Sequence, residues 1–247
     1  MSVYENNAKV QSFVTEVVLV DVEKFSLLSA EEQVRVAVIL NGELELFLNV
    51  STGQSAMSVD EVVAGFASTG DGFYVILQPE IAGFGLVLGL SLRAKLQTAN
   101  VEGKRCIKGV RIGVHRGVLS KFVDITQREC FVGPVMNDCS RLLSAKPENA
   151  PTNFLMDSSY VICSKSAFES FSNAFNYIDE NSYFRKMGVI TSPDIAIKDK
   201  HDLLHSAAFV EAPRFVAFNP PRPHDFDERV KAKLAKYIDP LTNEFTG

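Results

Sequence analysis

The stretch EVVLVDVEKFS, Glu16 to Ser26, limits what this chain can build. Val17 to Val20 form an unbroken apolar, largely β-branched run, which suits a central strand covered on both faces. The run stops at a carboxylate, Asp21. Any fold for this sequence therefore has to bury a strand completely and end it on a charge.

The segments that follow alternate in a consistent order. In SAEEQVRVAVILNGELELFL, Ser29 stands three residues before Glu32, the spacing of a capping box. Val34, Val38, Leu44 and Phe47 then recur at roughly helical spacing. EVVAGFASTGDGFYVILQ reads as two strands around a Gly-Asp-Gly turn. The pattern is helical from Pro79 through SLRAKLQTAN, and KGVRIGVHRGVLSKFVDI reads as a long strand or hairpin. GPVMNDCSRLLSA has Pro134 just inside a helix start. SSYVICS reads as a strand, KSAFESFSNAF as a short helix, and GVITSPDIAIKDKHDLLHSAAFVEA as a closing hairpin. The order β-α-β-β-α-β with later αβ pieces predicts an α+β fold, a ferredoxin-like core with C-terminal additions.

We place one domain at residues 1–218. Residues 219–247 read as a proline-punctuated tail whose Phe226, Val230, Leu234 and Tyr237 mark an amphipathic helix.

Composition removes several classes of function. With 247 residues, 46% apolar and 22% charged, the chain is ordinary for a globular domain. A net charge of −5 offers no basic footprint for nucleic acid. No run approaches the roughly 18 apolar residues of a membrane span, and the N-terminus lacks a signal pattern. Cys106, Cys130, Cys139 and Cys163 form no C-x-x-C pair, so reduced thiols in a soluble cytoplasmic protein are expected.

Asp21 and Asp71 are the informative pair. In a β-α-β-β order the end of the first strand and the tip of the hairpin lie side by side, so the two carboxylates converge. They would repel unless cations sit between them, and Mg2+ or Mn2+ suits oxygen ligands. The plain reading gives Asp71 to the hairpin turn and Asp21 to a strand end; spacing alone leaves both open.

Two other motifs read as packing or coincidence. GFGLVLG, Gly83 to Gly89, has G-x-G-x-x-x-G spacing rather than a dinucleotide fingerprint, and its small residues suit tight helix packing. HDLLH, His201 to His205, has Asp where a zinc protease carries its Glu, in a segment of strand character.

Four stretches resemble class III nucleotidyl cyclases, in that family's order from about Val17 to Ala145. VVLVDVEKFSLLS resembles the opening strand, and STGDGFYVIL the metal-binding hairpin. VRIGVHRGVL is similar to the R-[IV]-G-[IV]-H-x-G strand, and GPVMNDCSRLLSA to the G-x-x-[VM]-N-x-x-[AS]-R helix. The resemblance implies an NTP substrate converted to a 3′,5′-cyclic nucleotide and pyrophosphate, with two divalent cations. Asp21, Asp71 and the Val22 carbonyl would hold the metals, and backbone N–H groups near Phe25 and Ser26 the triphosphate. Asn137 would orient the ribose and Arg141 would meet charge on the α-phosphate; their i, i+4 spacing puts them on one helix face. Lys198 falls near a phosphate-binding Lys, with Lys200 competing because Asp199 replaces the family's glycine. His115 reads as a structural histidine rather than a base. The resemblance also implies a homodimer with two shared sites, metal carboxylates from one protomer and Asn and Arg from the other.

The base-selecting positions depart from the family. Adenylyl enzymes carry Lys and Asp there and guanylyl enzymes Glu and Cys; this chain has Ala67 and Cys130. Ala67 cannot read a purine edge. The chain is similar in this respect to bacterial cyclases that make cyclic CMP or cyclic UMP as an antiphage signal, which implies a downstream cyclic-nucleotide-binding effector. A guanylate or adenylate cyclase, and a catalytically silent nucleotide-binding module, are the competing readings.

Overall fold

The computed structural model describes residues 10–55, 58–101, 107, 109–145, 159–186, 188–198 and 204–212. The expected tail helix and Lys200 lie outside them.

Strand β1, Gln11–Val22, runs through the middle of the sheet, and Val17, Val18 and Val20 are wholly buried. Helix α1, Ala30–Ser55, follows a 3-10 turn at Phe25–Leu27. Its start is closed as the spacing predicts: the Ser29 amide donates to Glu32 Oε2 at 2.8 Å, and the Glu32 amide to Ser29 Oγ at 3.3 Å. The buried stripe of α1 is Val36, Leu40, Leu44, Phe47 and Leu48, while Val34 and Val38 are only partly covered. A short helix α2, Val59–Val62, leads into β2, Val63–Ser68, and β3, Gly72–Leu77. Then come α3, Phe84–Val101, and the long strand β4, Val110–Val123.

These four strands stand in the order β2-β3-β1-β4, every neighbouring pair antiparallel, which is the ferredoxin-like arrangement. Two further segments follow: β5, Glu129–Val132, returns on β4, and α4, Pro134–Leu142, comes after it. The C-terminal additions are β6, Tyr160–Ser164, α5, Lys165–Ala174, α6, Tyr183–Lys186, β7, Ile190–Thr191, β8, Ile195–Lys198, and β9, Leu204–Glu211. Strand β6 pairs parallel to β4, and β9 pairs with β6, β7 and β8.

Strand alternation divides the core in two. Val18, Val20, Ile112 and Val114 face α1, α3 and α5; Val17, Leu19, Tyr74 and Ile162 face α4. The two sides are built differently. The first side also holds an ion pair, Lys95 Nζ to Glu43 Oε2 at 3.8 Å, buried where α1 meets α3.

The GFGLVLG stretch opens α3 and packs as its small residues suggest. Gly83 and Gly85 donate their amides to the carboxylate of Glu16, at 2.6 and 2.8 Å, so the donors a phosphate would need are taken. At Gly89 a Cβ would sit 3.2 Å from Ile112, so the glycine lets α3 lie close on β4.

Candidate active site

Asp21 is the last residue of β1 paired to the hairpin: it stands opposite Gly72 on β3, and the Val22 amide donates to the Asp71 carbonyl at 3.0 Å. Two glycines make this approach feasible. Gly70 adopts φ +94°, and Gly72 lies so close to β1 that a Cβ would fall 1.8 Å from the Val20 carbonyl oxygen. Thr69 Oγ1 donates to Asp71 Oδ1 at 3.1 Å and steadies the turn.

Asp21 is 9% exposed, whereas Asp71 is exposed at the tip. Burial raises the Asp21 carboxyl above its ordinary value of 3.8, the Arg111 guanidinium pulls it down, and the Asp71 carboxylate beside it pushes it up again. Arg111, across from Asp21 on β4, holds Oδ2 through Nε at 2.7 Å and Nη2 at 2.5 Å. Arg111 opens the VRIGVHRGVL strand and carries no mark of a site role in the sequence. Only the β1–β4 register shows that it faces Asp21.

The donor set fits a hard cation that shares its coordination with substrate. Asp21, Asp71 and the Val22 carbonyl offer oxygen alone, and the described residues contain no group of three or more His, Cys, Asp or Glu that could hold a metal. A cation held there would take its remaining ligands from water and phosphate oxygens, as is usual for Mg2+.

Just past Asp21 the chain enters the 3-10 turn through Lys24 at φ 61°. The turn's own bonds run from the Leu27 and Leu28 amides, and among the described residues the amides of Phe25 and Ser26 donate to nothing. Successive unused amides of this kind form an anion-binding concavity.

Helix α4 lies on the same side of the sheet as Asp21. It is seated by Val135, Cys139 and Leu142, with Gly113 on β4 making room for Cys139. Asn137 is exposed and Arg141 half-buried, and Arg141 Nη1 meets Asp138 Oδ1 at 2.5 Å. Tyr74 ties the helix to β3 by donating its hydroxyl to the Met136 carbonyl at 3.1 Å. Burial pushes that phenol up to about 12. His115, on β4 beneath α4, is lowered by burial, with Asp138 raising it and His205 lowering it. A buried imidazole whose charged form is disfavoured accords with a structural role.

Ala67 and Cys130, the positions expected to select the base, lie on elements that meet. Ala67 on β2 stands opposite Tyr74 and is partly buried. Cys130 on β5 is half-buried, its Sγ 3.6 Å from Asp124 Oδ2. Its neighbour Phe131 folds onto β2 at Gly65, where a Cβ would fall 2.3 Å from the ring. Lys198 ends β8, which pairs with β9; strands β9, β6 and β4 stand between β8 and β1, so within one chain the sheet does not bring Lys198 to Asp21. In HDLLH, His205 belongs to strand β9 and not to a helix, and His201 lies outside the described residues.

No protein-family model matches the sequence, and no curated protein matches it. Solved structures do match in fold. The guanylate cyclase domain of RhGC from Catenaria anguillulae, in complex with GTP, is similar with a TM-score of 0.57 at 16% identity, over 82% of this chain and 98% of that one. The adenylyl cyclase CyaB from P. aeruginosa gives 0.54 at 16% identity, over 82% and 95%. The guanylyl cyclase Cya2 gives 0.53 at 16% identity, over 81% and 92%. The α+β fold of this chain is that of class III nucleotidyl cyclase catalytic domains.

Proposed function

We propose that this protein is a class III nucleotidyl cyclase, converting a nucleoside triphosphate to a 3′,5′-cyclic nucleotide and pyrophosphate. The observation that carries this reading is the β1–β3 register, which sets Asp21 against Gly72 and so joins Asp21 and Asp71 at one end of the sheet. Bound there, two divalent cations would lower the pKa of the substrate 3′-hydroxyl and neutralise the leaving pyrophosphate. The chain's own groups do the rest. Asp21 and Asp71 present oxygen ligands, and Arg111 opposes the burial that raises the Asp21 carboxyl and aims it through its hydrogen bond. The Phe25 and Ser26 amides bind phosphate oxygens, Asn137 orients the ribose, and Arg141 faces the charge that builds on the α-phosphate. Lys198 is the candidate for a further phosphate contact.

We assign the substrate to the pyrimidine nucleotides, UTP or CTP, with the cyclic product acting on a binding effector in antiphage signalling. The support is the missing side chain at Ala67, which offers no donor or acceptor to a purine edge. Tyr74, directly across from it, has its hydroxyl turned to Met136.

The experiment is to incubate the protein with ATP, GTP, CTP and UTP separately, with Mn2+, and to measure pyrophosphate and cyclic nucleotide. Turnover of UTP or CTP well above the purines is expected. Turnover of GTP or ATP instead would refute the base assignment and leave the cyclase standing. No product from any of the four would refute the cyclase and favour a silent binding module.

A further inference from the structure

We propose that Asp138 is a positioning residue for Arg141, its carboxylate fixing the plane and reach of that guanidinium on the flank of α4. The inference rests on the cyclase reading above and adds to it a residue that the reading does not use.

Asp138 is the one carboxylate on α4. It lies one turn before Arg141, and each of its two oxygens has a different neighbour. Oδ1 takes Arg141 Nη1 at 2.5 Å, while Oδ2 is turned toward His115 Nε2 at 3.8 Å. A Cβ added at Gly117 would fall 3.3 Å from His115 Nε2 and 3.3 Å from Val135 Cβ, so the imidazole tip lies where β4 meets α4 and gives the carboxylate a neighbour on the sheet side. Side-chain exposures of 27% for Asp138 and Arg141 and 17% for His115 set this chain of contacts apart from a solvated surface pair.

The chemistry explains why such an anchor is useful. An arginine that stabilises charge in a transition state must already be in place, because energy spent ordering a long side chain is lost from the barrier reduction. A guanidinium is planar, so one carboxylate contact sets the direction of its other donors. The contact is between neighbours three apart on one helix, so it survives any rigid movement of α4 as a body.

The test compares the wild type with Asp138→Asn, Asp138→Glu, Arg141→Gln and the Asp138→Asn/Arg141→Gln double variant, using the productive nucleotide with Mn2+. Melting temperature and circular dichroism report on the fold. Asp138→Asn should lower kcat about tenfold and leave KM within about twofold, the signature of an interaction realised in the transition state. Asp138→Glu, which restores the charge on a longer arm, should recover part of that loss. In the Arg141→Gln background Asp138→Asn should cost nothing further, since Asp138 acts through Arg141. In the NMR titration of the same variant, His115 should take up its proton at lower pH than in the wild type, because the charge that raises it has gone. A wild-type kcat in Asp138→Asn, or losses that multiply in the double variant, would overturn the inference while Arg141 keeps its role. Full activity in Arg141→Gln would instead overturn the cyclase reading of Arg141, and the inference with it.

Discussion

At the scale of single residues, charge in this molecule is held by register more than by sequence proximity. Arg111 lies 90 positions from Asp21 and is its strongest partner. Asp21 and Asp71 were legible because each interrupts or ends an apolar run. Arg111 was not, since an arginine at a strand start carries no mark of the strand it will face. His115 could be read as structural from its motif, but its dependence on Asp138 could not. That histidine makes a pH prediction. Burial lowers it from 6.5, and the charged or titratable groups facing it are Asp138 and His205. The folded state therefore binds its proton less readily than the unfolded chain does. The associated stability is whole above pH about 6.5 and is lost as pH falls through that value toward the lower folded pKa. Melting temperatures measured from pH 8 to 5 should fall more steeply for the wild type than for His115→Gln. Parallel curves would remove His115 as the cause.

At the scale of elements, the β2–β3 hairpin shows how two glycines can do separate work. Gly70 supplies a backbone angle, φ +94°, with open space around it, whereas Gly72 supplies room, its missing Cβ lying 1.8 Å from the Val20 carbonyl. Gly70→Ala should cost about 1 kcal/mol of stability and leave the strand pairing intact. Gly72→Ala should cost about 1–3 kcal/mol, as overpacking does, and should also push β3 off β1 where Asp21 and Asp71 meet. Chemical denaturation measures the first difference. Mn2+ affinity of the folded variants measures the second, with Gly72→Ala weaker than Gly70→Ala. Equal affinities would separate hairpin seating from metal binding. The hairpin was readable from Gly-Asp-Gly between alternating apolar runs, and the cap of α1 from Ser29 and Glu32. The buried stripe of α1 was harder, because the helix is rich in apolar residues on more than one side. Its burial is settled by α3 rather than by its own periodicity.

At the scale of the whole molecule, the sheet separates two tasks. One face, under α1, α3 and α5, is packed core throughout; the other has a second packed cluster and, at its edge, Asp21, Arg111, His115 and the helix with Asn137 and Arg141. The overall order of strands could be read because each β-α-β step leaves so few topologies. The C-terminal strands could not be placed in the same way, since β7, β8 and β9 have only short or weakly patterned segments. A chain with both halves of a site suits a homodimer, and this makes a complementation prediction. Asp21→Ala and Arg141→Ala should each be inactive alone, and mixing them should restore about one site per dimer, read as roughly half the activity of wild type per heterodimer. No recovery on mixing, with dimers verified by light scattering, would refute shared sites.

Strand β1 carries two acids that serve opposite faces: Glu16 receives the amides that start α3, and Asp21 stands on the side of α4. Five positions separate them, an odd interval, so they point apart. Inserting or deleting one residue between them would turn one acid to the wrong side of the sheet, and a two-residue change would keep both faces but slide one acid by about 7 Å. The interval from Glu16 to Asp21 thus behaves as a ruler that evolution can repaint but not resize. Apolar exchanges of similar volume along it are open to drift, and length changes are closed.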